Sequence, residues 1–294
     1  MSKENMTYKY CLLILVQCLC NSFGPPFTKL IYESVSINWY MAIRFSLASI
    51  MLFLFFGRRI TDGWKGKKIF RFVPLYVCTL FGYYLTNIAL QYTSSINVGF
   101  IISLPVVIAP IMERLLYKRM YSAKHIPVLC LAVFGLFLLA FNGFGVRLAL
   151  GDIVALLAAT ALAGTLVLGE RASRQIDAIA LLTPSMVLTA GVSLVLALGM
   201  EGTAGISSIT AGAWAGLIYL AVIGSVFVTY LTNKALKYIS STMVSGIQAV
   251  QPVMTALISF ILLKEVIGIT AMLGAAIVVG AVIMDNVITV KCEL

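Results

Sequence analysis

Long apolar runs separated by short polar connectors dominate this chain. Ten of them approach the roughly 20 residues a helix needs to cross a bilayer: 10–31, 37–56, 72–92, 96–117, 124–141, 151–171, 179–200, 213–234, 241–263 and 267–288. The runs are continuous, not alternating, which excludes the strands of a membrane barrel. The pattern predicts an all-α integral membrane protein with ten transmembrane helices. Because the longest connector runs only from Gly57 to Arg71, no separate soluble domain is expected.

One stretch occurs twice. Residues 83–95 read Y-Y-L-T-N-I-A-L-Q-Y-T-S-S and residues 229–241 read T-Y-L-T-N-K-A-L-K-Y-I-S-S, identical at nine of thirteen positions. Apolar composition alone would not reproduce Thr-Asn, Tyr and Ser-Ser at fixed offsets. The chain is therefore read as a duplication, residues 1–146 and 147–294 each carrying five spans. An odd number of spans turns the second copy over, so the two five-helix repeats are expected to be inverted about an axis in the membrane plane. Many secondary transporters alternate access with such a pair, around a site near the midplane.

Charge fixes the expected orientation. With the N-terminus inside, seventeen of the 21 lysines and arginines fall on cytoplasmic segments, while Lys29, Arg147 and Lys264 lie outside and Arg44 lies within a span. By the positive-inside rule both termini are cytoplasmic. The run from Cys11 to Cys20 could pass for a signal-peptide core, but Asn-Ser-Phe-Gly-Pro-Pro offers no small-x-small cleavage site, so it is read as a retained first helix.

Composition narrows the function. With 61% hydrophobic and 11% charged residues and a mean hydropathy of +1.02, the chain departs from the roughly 25% charge of soluble domains. The net charge of +10 sits in connectors and not on one helix face, so a nucleic-acid partner is not expected. The six cysteines show no metal-ligand or disulfide-framework spacing, and no metal or cofactor is expected. A single histidine, His125, and the lack of H-E-x-x-H or a P-loop argue against hydrolase chemistry and ATP-driven pumping.

Several stretches resemble the EamA-type branch of the drug/metabolite transporter superfamily. They are the hairpin A-L-x-Y-x-S-S at Ala89–Ser95 and again at Ala235–Ser241, followed by Pro105 and Pro252; Met41–Phe45 with its Arg-Phe; Leu150-Gly151-Asp152; and Leu263-Lys264-Glu265. The pattern departs at Lys118-Arg119, where the second copy has Lys264-Glu265, and at Gly24-Pro25-Pro26. The resemblance implies a ten-helix bundle with a central cavity lined by spans one to four and six to nine. It also implies transport of small organic metabolites, often export, in the cytoplasmic membrane.

Candidate site residues follow from the cost of polarity in hydrocarbon. Arg44 lies about 10 Å below the outer boundary at about 1.5 Å per residue, and a central Arg costs about 2.5–3.5 kcal/mol unless it faces a cavity or partner. It is a candidate substrate or gate contact, with a carbonyl-capping structural role as the alternative. Asn21, Tyr83, Tyr84, Ser103, Gln248 and Gln251 fall near span centres and must bond another helix or a solute. Gln248 and Gln251 share a face of a proline-broken helix. Thr86-Asn87 and Thr232-Asn233 are expected to be fold determinants of the hairpins. Glu113 is the candidate for proton coupling, set against a solvated ion pair with Arg114.

The expectation is a secondary transporter, exporter or exchanger, of amino acids or related zwitterions and carboxylates. Its partners are a small-molecule substrate and the lipid bilayer, and it is a monomer or homodimer. A carrier of cationic or amine solutes is the alternative within transport; a non-transport membrane enzyme or structural subunit is the alternative outside it.

Overall fold

Backbone groups in hydrocarbon have to be satisfied within their own segment, and the uninterrupted apolar runs achieve this as helices. The protein's structure is a computed structural model that describes residues 3–118, 126–140, 150–202, 209–264, 268–270, 272–274, 276–281 and 284. The helices are α1 (Lys3–Ser22), α2 (Gly24–Tyr32), α3 (Ile37–Trp64), α4 (Val73–Tyr92), α5 (Ser95–Ile101), α6 (Pro105–Tyr117), α7 (Ile126–Ala140), α8 (Leu150–Ser173), α9 (Ala178–Leu196), α10 (Ala211–Tyr219), α11 (Val228–Leu236), α12 (Ser241–Gln248) and α13 (Gln251–Leu263). The segment Leu220–Phe227 joins α10 to α11 as a wider, π-helical stretch.

Among the described residues, eight continuous stretches are long and apolar enough to cross a membrane: Thr7–Tyr32, Ile37–Trp64, Ile69–Tyr92, Asn97–Tyr117, Leu150–Ser173, Ala178–Glu201, Ala211–Leu236 and Ser241–Leu263. The expected fifth and tenth spans coincide with shorter apolar helices, Ile126–Gly135 and Met272–Ala281. Parts of both expected runs lie outside the described residues.

Proline sets three of the helix breaks. α2, α6 and α13 each start with Pro in the first turn, at Pro25, Pro105 and Pro252. There the missing N–H costs nothing to the new helix but stops the preceding one from continuing its ladder. One span is thus α1 plus α2, another α5 plus α6, and a third α12 plus α13.

The 146-residue spacing is visible in backbone detail. Ser94 and Ser240 cap α5 and α12, accepting from the amides of Asn97 (3.0 Å) and Met243 (3.2 Å). α6 and α13 end on Lys118 and Lys264, whose φ of 52° and 53° are the only positive values among the described non-glycine residues. Packing repeats as well. α4 lies along α8 and α11 lies along α1, α5 meets α13 and α12 meets α6, and the interface of α3 with α9 is as extensive as that of α4 with α8.

The core between α3 and α9 is built from Tyr40, Phe45, Leu52, Leu182 and Met186. The opposite face of α3 exposes Phe53, Leu54 and Phe55, as a lipid-facing surface requires. At the end where α3 gives way to basic residues, Arg59 forms two hydrogen bonds to Asp177, 3.0 and 2.8 Å. Asp177 also caps α9 through the amide of Ile179 (3.0 Å). Burial alone would raise its carboxyl, but Arg59 and the helix-start amides outweigh it and hold the group below the usual carboxylate range. Trp64 Nε1 donates to Ala180 O (2.9 Å), tying the same two helices together.

Candidate functional site

Arg44 sits on the buried face of α3 at 6% exposure. Its Nε donates to Ser225 Oγ (2.8 Å), Nη1 to Tyr40 Oη (2.6 Å) and Nη2 to Gly224 O (3.2 Å). Tyr40 is one turn before Arg44 on the same helix, while Gly224 and Ser225 come from the π-helical stretch. The wider turn frees carbonyls from the regular ladder, and Ser225 Oγ donates back to Leu220 O (3.0 Å). A Cβ on Gly224 would stand 3.4 Å from Arg44 Nη2, at the edge of ordinary contact.

Aromatic rings complete the surroundings, with centroids 5.7 Å (Tyr40), 5.2 Å (Phe45) and 6.0 Å (Tyr83) from the guanidinium carbon. Among the described residues no carboxylate pairs with Arg44. Three of the five guanidinium N–H groups are engaged. Tyr40 is positioned in turn by Thr28 Oγ1 (2.9 Å). Tyr83 Oη lies 3.1 Å from Thr229 Oγ1, a contact between residues 146 apart.

The other expected residues separate into different places. Tyr84 Oη donates to Asn38 Oδ1 (2.6 Å). Asn38 Nδ2 and Ser36 Oγ donate to the two oxygens of Glu201, at 2.8 and 2.5 Å, so Tyr84 belongs to a strap between the start of α3 and Glu201, past the end of α9. Gln248 Nε2 donates to Gln17 Oε1 of α1 (3.0 Å). The backbone carbonyl of Gln251 accepts from Ser22 (3.3 Å), and the side chains of Gln251 and Asn21 make no hydrogen bond among the described residues. Ser103 bonds back to Gly99 O (2.9 Å) within its own helix. No hydrogen bond links Arg44 to Gln248 or Gln251. Arg44 and Tyr83 are brought together; the glutamines lie against α1.

The surroundings of Glu113 differ from the solvated pair with Arg114 that the sequence suggested. Glu113 is 6% exposed and accepts from Ser241 Oγ and from the amide of Thr242 (3.0 Å). Glu170 of α8, 3% exposed, reaches the same helix start. It accepts from the amide of Ser241 (2.9 Å) and lies 3.1 Å from Ser241 Oγ, while its other oxygen holds Arg174 (3.0 Å). A recess of about 220 Å³ lined by Tyr117, Glu170, Arg171 and Arg174 opens beside them. Elsewhere, a cleft of about 500 Å³ between α2 and α10 is lined by Phe27, Ile31, Gly216 and Tyr219 and bears no charge. No group of three or more potential metal ligands occurs among the described residues.

The model of the EamA-like transporter family matches twice, over residues 8–141 and 149–286. The chain belongs to the EamA-like transporter family. An Archaeoglobus fulgidus protein described as an uncharacterized transporter is 30% identical over 135 residues, 46% of this chain and 40% of that one. The Bacillus subtilis uncharacterized transporter YyaM is 25% identical over 250 residues, 82% of each. A solved crystal structure at 16% identity shares the fold, with a TM-score of 0.75 over 95% of this chain and 99% of that one. The family match and the apolar helices make this EamA-like chain a multi-pass membrane protein.

Sequence reasoning missed several residues of this EamA-like chain. Tyr40 carried a signal, a polar ring one turn from a buried Arg, whereas Ser225 and Gly224 lie in a run that reads as uniformly apolar. Glu170, four residues before Arg174 near the end of α8, is not among the expected site residues. The hairpin asparagines also differ from expectation. Asn87 accepts from Tyr32 Oη (3.0 Å) and donates to Tyr83 O (2.8 Å), while Asn233, its repeat counterpart, makes no hydrogen bond among the described residues. Asn87→Ala removes the nearer acceptor of Tyr32 Oη, leaving it the residue-87 carbonyl at 3.4 Å, and is expected to cost about 0.5–1.5 kcal/mol. Asn233→Ala should stay within about 0.5 kcal/mol. Melting curves in detergent check this; equal losses at both positions would contradict the assignment.

Proposed function

We propose that this chain is a secondary transporter that exports or exchanges a small carboxylate-bearing metabolite, such as an amino acid or related zwitterion, by alternating access. The observation that carries the reading is Arg44: a buried guanidinium with two N–H groups unengaged and no carboxylate paired to it. An isolated buried charge is costly, and a solute carboxylate would complete the site with two parallel hydrogen bonds. The cationic-solute alternative gains little. The rings suited to hold a cation, Tyr40, Phe45 and Tyr83, already surround the protein's own cation. Gln251 and Asn21, whose side chains make no hydrogen bond among the described residues, are second-rank contacts; Gln248, Tyr84 and Ser103 serve helix packing.

The mechanism rests on two inverted halves, residues 1–146 and 147–294, with ten spans and both termini in the cytoplasm. Support comes from Tyr83 and Thr229. Equivalent residues of two copies can touch each other only near the axis that relates them, and this pair does so beside Arg44. A guanidinium close to that axis stays within reach of solute from either side as the halves rock.

Two experiments test this reading. In proteoliposomes loaded with a mixture of L-amino acids, Arg44→Lys and Arg44→Gln are expected to lower efflux at least tenfold, since a hydrogen bond to a charged group is worth about 1.5–3 kcal/mol. A lysine cannot copy the planar fork. A packing role would instead lower the melting temperature and leave efflux by the folded fraction unchanged. For the inversion, Gln91 and Lys237 are equivalent and both exposed. As single cysteines in a cysteine-free background they should react with an impermeant maleimide from opposite faces. Labelling from one face would remove the inverted repeat.

A further inference from the structure

Lys234 is the single cation of α11 and stands one turn after Tyr230, near the end of that helix. Its Nζ lies 5.3 Å from the centroid of the Tyr230 ring. A lysine at the end of a span ordinarily snorkels outward to the headgroups. Here the ammonium is turned back along its own helix, over a ring that lies deeper in the span. No carboxylate pairs with Lys234 among the described residues. Arg59, which is close enough to interact with Tyr230, is matched by Asp177 and leaves that end of the helix no spare acid of its own. Residues four apart share a helix face, and Tyr230 packs against the core that holds Tyr40 and Phe45, the rings beside Arg44. The repeat counterparts of this pair, Tyr84 and Ile88, pack against the same core. α11 also reaches the Arg44 surroundings directly, because Thr229 meets Tyr83. From Thr229 to Lys234 the helix rises only about 7.5 Å. Two cations with no paired carboxylate therefore stand along one wall, joined by Tyr83, Thr229 and Tyr230.

We propose that Lys234 is a second contact for the solute carboxylate, on the cytoplasmic side of Arg44. Solute arriving from the cell meets the ammonium above Tyr230 first and passes along α11 to the guanidinium. The two side chains suit the two tasks. A lysine is a point charge on a flexible stem with three rotatable donors, and it takes an anion without demanding one orientation; the planar fork of an arginine fixes the orientation. Ile88 at the equivalent outer position offers no such contact, so the second site belongs to the inner approach alone. This inference rests on the carboxylate reading above and on the cytoplasmic placement of the α11 end. It deepens that reading by naming where the solute is first held.

The test is efflux of L-amino acids from proteoliposomes holding the full-length protein in one orientation, with melting curves of each variant in detergent beside it. Lys234→Gln is expected to raise the KM for efflux about tenfold with the maximal rate little changed. Lys234→Arg keeps the charge and should stay within about threefold of wild type. Lys237→Gln removes an exposed cation from the same helix end and should shift KM by less than about twofold. A cysteine-free protein carrying Lys234→Cys then separates charge from packing. Methanethiosulfonates that leave an ethylammonium, a hydroxyethyl or an ethylsulfonate group add similar bulk with charges of opposite sign. The account predicts the lowest KM for the ammonium adduct and the highest for the sulfonate. Equal KM values for the three adducts, a Lys234→Gln variant that loses only melting temperature or maximal rate, or an equal rise in Lys237→Gln would overturn the second site. If Arg44→Gln keeps full efflux, or wild type exports no amino acid, the carboxylate reading falls and takes Lys234 with it. Loss of efflux in Arg44→Gln with KM indifferent to Lys234→Gln removes the second site alone.

Discussion

A guanidinium withdrawn from water must be answered by something, and the organisation around Arg44 is the answer this chain supplies. Tyr40, Ser225 and the Gly224 carbonyl take three of its hydrogen bonds, and three rings close around it. Each partner has its own reason to be there. Tyr40 stands one turn away on α3, and the π-helical stretch offers the Gly224 carbonyl and the Ser225 hydroxyl. None of these groups carries a negative charge. Hydrogen bonds and rings make the cation tolerable; they do not neutralise it.

The duplication explains why that cation sits where it does. Tyr83 and Thr229 touch across the two copies, and the helices around them pack in reciprocal pairs.

The helices, their repeat and the buried Arg were legible in the sequence because each rests on a local cost: apolar length, fixed polar spacing, and a charge within a span. Arg44 and Tyr83 came together as candidates for that reason. Partnerships across long separations were not legible. Gln248 shares a face with Gln251, yet its amide is taken by Gln17, 231 residues away. Glu113 has Arg114 as its neighbour in sequence, while the fold gives it Ser241 and Thr242. Asn87 and Asn233 occupy identical motifs, yet Asn87 alone bonds Tyr32, because the repeat conserves the motif and not its neighbours. The π-helical stretch left no trace in a run that reads as uniformly apolar.

The central claim is that Arg44 awaits an anionic group from outside the chain. The most direct measurement is ligand-dependent melting of the purified wild-type protein, comparing L-amino acids with their C-terminal amides at matched concentration. The amides keep the side chain and the amine and lose only the carboxylate. The account predicts that at least one amino acid raises the melting temperature while its amide leaves it unchanged. Equal stabilisation by an acid and its amide, or stabilisation by amines alone, would contradict it.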